Sequence, residues 1–133
     1  AEINNIVDIY LTSFLNIYLI WNKGIAFGIL SLDTALFYNI ITLIIVFINI
    51  LIVKMIINYN DFRSFLLIMI LGGSLGNVFD RVYFRAVPDF IDIHHGDFHW
   101  FVFNVADIFI TLGVLSLIMT ELFINKNIKN ENK

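Results

Sequence analysis

Two aspartates stand where an apolar chain should carry few ionisable groups. Asp107 lies inside "FNVADIFITLGVLSLIMTELF", residues 103–123, with Asn104 one turn before it and Thr111 one turn after, on one helical face. An ionised carboxylate at the centre of a membrane helix costs roughly 2.5–3.5 kcal/mol on insertion scales, so such a face must point at protein or trapped water. Asp89 sits in "VPDFI", after the chain's one proline, among apolar side chains that solvate a carboxylate poorly. Two carboxylates held close together at low dielectric cannot both ionise, and one keeps a proton. The ionised member of such a pair can deprotonate a water while the protonated one polarises a peptide carbonyl. Spacing alone does not bring the two together, because 18 residues separate them.

Other polar residues cluster nearby. In "LGGSLGNVFDRV", Asn77 and Arg81 share a face at i, i+4, with Asp80 beside them. Asp80 and Arg81 could simply anchor a helix end at the membrane surface, but Asn77, one turn deeper, needs its own hydrogen-bond partners. Gly72 and Gly76 have the small-xxx-small spacing that lets membrane helices approach, and packing alone accounts for them. His94, His95 and His99 have a spacing compatible with metal ligation. No HExxH pattern accompanies them, and His and Trp100 are ordinary at a membrane interface, so no metal is expected.

Positioning these groups is a task for membrane elements. Of the 133 residues 59% are hydrophobic and 14% charged, more apolar side chain than a soluble domain of this size can hide. The mean hydropathy is +0.86. A net charge of −3 with no basic patch gives no support to nucleic-acid binding, and the absence of Cys excludes disulfides and thiolate metal sites. Three spans are expected, at 34–53, 64–80 and 103–123, the first about 20 residues long to match a hydrocarbon core of about 30 Å. Lys54, Arg63, Lys126, Lys129 and Lys133 then fall on one side and Asp8, Asp33, Asp89, Asp92 and Asp97 on the other. The positive-inside rule makes the basic side cytoplasmic and places residue 1 outside. Residues 1–30 are rich in Ile, Tyr, Leu and Thr with partial alternation, which reads as an extracytoplasmic β segment. Residues 125–133 form a polar cytoplasmic tail, and the whole reads as a single membrane-embedded domain. The start "AEINN" looks trimmed, with an upstream helix expected before it.

Four blocks resemble lipoprotein signal peptidase, the signal peptidase II family of membrane aspartic peptidases. They are "NKGIAFG" (22–28), "GGSLGNVFDR" (72–81), "VPDFIDIH" (87–94) and "FNVADIFITLG" (103–113), in the family's order and with similar spacing. The resemblance implies a mainly α integral membrane fold of four helices, the first missing here, plus a small extracytoplasmic β-cradle. It implies that Asp89 and Asp107 are catalytic, and that Asn22, Gly24, Phe27, Gly73, Asn77, Asp80, Arg81 and Asn104 line, brace or close the site. It further implies a multi-pass protein of the bacterial cytoplasmic (inner) membrane, with its site on the extracytoplasmic face. Its substrates would be diacylglyceryl-modified prolipoproteins, cleaved just before the lipidated Cys by a monomer needing no metal or organic cofactor. Ser74, Pro88 and Arg85 depart from the usual family residues, Ala, Val and Gly, without removing a reacting group. Two other classes compete. A small transporter subunit with a proton or cation pathway predicts acids deep in the bilayer on several helices. A non-catalytic membrane assembly factor predicts that Asp→Asn changes harm folding and not turnover.

Overall fold

The structure, a computed structural model, describes residues 9–23 and 34–131. Its elements run β1 (Ile9–Thr12), β2 (Leu15–Asn22), α1 (Thr34–Asn58), α2 (Phe62–Phe84), β3 (Val87–His95), β4 (Phe98–Phe103) and α3 (Val105–Glu131). The protein is therefore mainly α, with a small antiparallel sheet and three helices long and apolar enough to cross a membrane. Two compact units divide the chain: Ala1–Thr42 with Phe79–Val105, and Leu43–Val78 with Ala106–Lys133.

The first unit is built on the sheet, in the order β1-β2-β3-β4 with every neighbouring pair antiparallel. β-Branched and aromatic residues dominate its strands, as a pleated, half-buried surface favours. At the β3–β4 turn the chain reverses over Gly96 and Asp97, and Gly96 has φ +60°, which glycine adopts without steric cost. The β-rich character expected for residues 1–30 is realised in β1 and β2, but β3 and β4 were not foreseen. Their residues read as a plain connection because Asp, His and Gly interrupt the alternation. Also in this unit, the Tyr38 hydroxyl of α1 donates to the Arg81 carbonyl of α2 at 3.0 Å. α2 closes on Arg85, whose φ of 58° is the left-handed conformation that a glycine would hold more easily.

The second unit is a helical core. Ile52 of α1 packs with Leu67 and Ile70 of α2, and Ile110 and Leu117 of α3 cover them. The outer faces are as apolar as the inner ones: Leu43, Ile50, Leu115 and Leu122 are all exposed. A helix apolar on all sides requires hydrocarbon as its solvent. Spans of 24, 23 and 23 residues reach about 35 Å at 1.5 Å per residue, enough for a bilayer core of about 30 Å. α1 and α3 outrun their expected spans at the C-terminal end and α2 at both ends, since a helix does not stop where the hydrocarbon does. Asp61 opens α2 by accepting from the Arg63 backbone N–H at 2.9 Å. Its carboxylate also takes the Arg63 guanidinium at 2.7 Å, and these hydrogen bonds hold it below the usual carboxylate range. Arg63 reaches on to Glu121 of α3 at 3.2 Å.

Close approach between α2 and α3 in this unit falls on Gly73 and Gly113. A Cβ at Gly73 would stand 2.5 Å from the Ala106 carbonyl oxygen and 2.9 Å from Ile110 Cγ1; at Gly113 it would meet Ile70 Cγ1 at 2.5 Å. Gly76 is looser, its Cβ position 3.8 Å from Ala106 Cβ, and Gly72 faces nothing within 4 Å. The small-xxx-small expectation thus shifts by one residue, because the α3-facing side of α2 carries Gly73 and not Gly72. Gly73→Ala is expected to cost about 1–3 kcal/mol by overpacking against backbone, whereas Gly72→Ala leaves stability within about 1 kcal/mol of the parent, Ala being the better helix former. Thermal denaturation of both variants in detergent checks this, and equal melting temperatures would contradict it.

Candidate active site

Asp89 is placed by β3, whose alternation turns Val87, Asp89 and Ile91 to one side. It is buried, at 4% exposure, so both oxygens must find donors inside the protein. They do. Asn104 Nδ2 donates to Oδ1 at 2.8 Å and Asn22 Nδ2 donates to Oδ2 at 3.0 Å. Asn22 ends β2 and pairs with Val87, and Ile20 pairs with Asp89, so the sheet register carries the amide to the carboxylate. Asn104 is itself buried, in the single residue between β4 and α3. β2 and the residue that follows β4 thereby converge on the carboxylate that β3 carries.

Asp107 belongs to the second unit, where it sits in the first turn of α3. Unpaired N–H groups at a helix start carry partial positive charge, which favours a carboxylate there. Asn77 Nδ2 of α2 donates to Asp107 Oδ1 at 2.9 Å. The contact of Gly73 with Ala106, one turn of α2 away, sets the close helix spacing at which so short an amide can reach. Two carboxylates are thus each held by asparagine amides, one from a strand and one from a helix start.

Sequence reasoning placed Asn104 inside the helix, on one face with Asp107. Phe103 instead ends β4 and Asn104 precedes α3, so its amide serves Asp89, while Asn77 serves Asp107. An apolar run such as "FHWFVF" is ambiguous between strand and helix, and pairing with β3 decides it. Arg81 packs its guanidinium 5.4 Å from the Tyr38 ring centre, and its Nε and Nη1 are buried without a hydrogen-bond partner among the described residues. Tyr38, which both stacks on Arg81 and binds its carbonyl, escaped notice; a lone phenol in an apolar span was the available signal. Asp80 is half-buried and forms no hydrogen bond or ion pair among the described residues. Gly24 and Phe27 lie outside the described residues.

A cavity of about 970 Å³ in the first unit is lined by Trp21, Lys23, Tyr38, Asn39 and Arg85 among others, and by neither aspartate. Of the three histidines, His94 and His99 stand with Asp92 in a group whose donor atoms lie within 4.8 Å of one another; His95 does not belong to it.

Comparison with known proteins supplies the frame for these groups. Residues 2–123 match the family model described as signal peptidase (SPase) II. The lipoprotein signal peptidase of Pelagibacter ubique is 53% identical over 131 residues, covering 98% of this chain and 79% of that protein. That of Anaplasma phagocytophilum is 44% identical, covering 86% of this chain and 74% of its own, and that of Francisella tularensis subsp. novicida is 43% identical, covering 90% and 76%. Two solved structures, described as bacterial membrane enzymes determined by the in meso method at 2.3 and 1.9 Å resolution, match with TM-scores of 0.70 and 0.70. They are 37% and 36% identical, covering 90% and 92% of this chain and 73% and 77% of theirs. With a family model spanning most of its length and relatives at this identity, the chain belongs to the signal peptidase II family of membrane peptidases.

Proposed function

We propose that this protein is an aspartic endopeptidase that removes signal peptides from diacylglyceryl-modified prolipoproteins, cutting just before the lipidated Cys, with Asp89 and Asp107 as the catalytic pair. The observation that carries the reading is that these two carboxylates, and the asparagines Asn22, Asn77 and Asn104 of the same four blocks, form amide–carboxylate hydrogen bonds. Asn104, bonded to Asp89, stands three residues before Asp107 in sequence.

In this mechanism the two carboxylates share one proton and hold a water. The ionised carboxylate takes a proton from the water as its oxygen attacks the scissile carbonyl carbon, while the protonated partner gives its proton to the carbonyl oxygen. The tetrahedral diol then collapses: the carboxylate that took the water's proton gives it to the amide nitrogen, the C–N bond breaks, and one hydroxyl gives its proton to the ionised carboxylate, so the pair again holds one proton. Amide donors that fix the carboxylate oxygens hold both groups in near-attack geometry. Gly73 keeps α2 and α3 close enough for Asn77 to do this, and the Arg81–Tyr38 stack steadies the end of α2.

The substrate enters sideways from the bilayer, its apolar signal helix lying against helices whose outer faces are apolar. A site on the extracytoplasmic side of the bacterial inner membrane fits the gathering of Asp89, Asp92 and Asp97 away from Lys54, Arg63 and Lys126. The protein acts as a monomer; the family resemblance assigns Gly24 and Phe27 to the site, and both lie outside the described residues.

Cleavage of a lipidated precursor by the purified, full-length protein tests the pair directly. Asp89→Asn and Asp107→Asn are each expected to lower kcat by at least about 10³-fold, within the range of lost acid–base catalysis, while melting temperature and detergent elution stay near the parent's. Near-normal cleavage by either folded variant would remove that residue from the reaction. The asparagines are expected to behave as positioning residues. Asn104→Ala and Asn77→Ala should lower kcat by about 10–100-fold, as misplacement near the reacting atoms does, with little change in KM. A rise in KM at constant kcat would instead assign them to substrate binding.

A further inference from the structure

On the sheet, the side-chain alternation of β3 puts Asp92 and His94 on the face opposite Asp89. A bulge between Ile93 and His94 then matters. Asp92 pairs with Val102 and Ile93 with Phe101, but His94 pairs with His99, so β4 carries one extra residue, Trp100. Regular pairing would set His94 against Trp100; the bulge re-aims β4 so that His99 shares the face of Asp92 and His94. On the other side Asn16 of β2 pairs with Asp92. Four polar side chains from three strands thus meet on one face.

His99 Nδ1 hydrogen-bonds to both oxygens of Asp92, at 3.0 and 2.9 Å. His94 Nδ1 lies 3.3 Å from Asp92 Oδ2, is buried, and makes no hydrogen bond among the described residues. Asp92 is fully buried, and its only ionic partners among the described residues are these two imidazoles. Unlike Asp89, this buried carboxylate has no side-chain amide donor among the described residues and faces only imidazoles, groups that also bind metal ions. Independently, Asn16 is 8% exposed, and its Oδ1 is buried with no donor among the described residues. A carbonyl oxygen without a donor is what a cation or its bound water would satisfy. His94, His99 and Asn16 also line a cavity of about 580 Å³ with Tyr10, Thr12, Ser13, Tyr18 and Gly96, which gives an ion a route in and leaves room for a further ligand.

We propose that Asp92, His94 and His99 form a binding site for one divalent transition-metal ion of the zinc class, with Asn16 Oδ1 or a water from the cavity as fourth ligand. Tetrahedral zinc with ligands at about 2.1 Å sets them about 3.4 Å apart; the separations about Asp92 are 3.3 and 2.9 Å and all three ligand atoms lie within 4.8 Å of one another, so the half-exposed His99 must shift to close the shell. Two imidazoles and one carboxylate, with no thiolate in the chain, suit Zn²⁺ over hard Ca²⁺ or Mg²⁺. Facing away from Asp89, the ion takes no part in peptide hydrolysis. It pins β3 to β4, and through Asn16 to β2, in the sheet that presents Asp89.

The test uses the full-length protein in detergent, stripped with EDTA and titrated with ZnCl₂. Bound zinc per chain is read by mass spectrometry after gel filtration, and stability by melting temperature. The expected result is one zinc per chain, a melting temperature that rises with zinc, and affinity weakened at least tenfold in His94→Ala and His99→Ala but unchanged in His95→Ala. Zinc X-ray absorption of the parent protein serves whether or not the variants fold: two imidazole nitrogens at about 2.0–2.1 Å are expected. No saturable binding, equal binding by the His94→Ala/His99→Ala double variant, or a zinc shell without imidazole would overturn the proposal, leaving a proton on histidine as the counter-charge of Asp92.

Discussion

A carboxylate taken out of water must be given donors before anything else can be asked of it, and much of this molecule follows from that requirement. Asp89 is almost wholly buried, yet both its oxygens receive amide N–H groups, from Asn22 and Asn104. Asparagine suits the task. It donates without carrying a charge that would neutralise the acid, and its short side chain fixes the donor with little rotamer freedom to lose. A lysine or arginine in the same place would hold the aspartate more firmly but would oppose its protonation, which acid–base work at a carboxylate pair needs. The choice of amide over cation is therefore chemical as well as structural.

Once amides are the partners, reach becomes the limiting quantity. An Asn77 amide on α2 finds Asp107 on α3 at 2.9 Å only where the helices lie unusually close. Gly73 against the Ala106 backbone and Gly113 against Ile70 provide that closeness. Within hydrocarbon, where burying apolar surface gives helices no reason to associate, packing of small residues and interhelical hydrogen bonds must hold them together. The glycines and the Asn–Asp bond support each other: close packing makes the bond possible, and the bond resists separation of the pair.

Much of this was legible in the sequence, and the exceptions have physical reasons. Apolar length located all three helices, and the acids and asparagines stood out because hydrocarbon tolerates so few. The pairing of donors with acceptors was only half legible. Asn104 was matched to Asp107 because the run from Phe103 onward reads as one continuous helix, and an apolar stretch has no periodicity to show that its first residues are a strand. β3 stayed hidden for a related reason: two of its three buried positions are Asp89 and Asp92, which binary patterning marks as solvent-facing. The one-residue error between Gly72 and Gly73 has another root: Gly73 stands one turn before Asn77 on the polar face of α2, and the Gly72–Gly76 spacing masked it.

The sharpest consequence of that hidden strand is its two-sidedness. Asp89 and Asp92 are three apart on regular β3, an odd offset, so their side chains leave opposite faces of the sheet. Both are buried, but their partners differ in kind: neutral amides for Asp89, imidazoles for Asp92. A strand only nine residues long thus carries an amide-bonded acid on one face and an imidazole-bonded one on the other. Because a slip of one residue would exchange the two faces, the Asp92 cluster defends the register on which the surroundings of Asp89 depend.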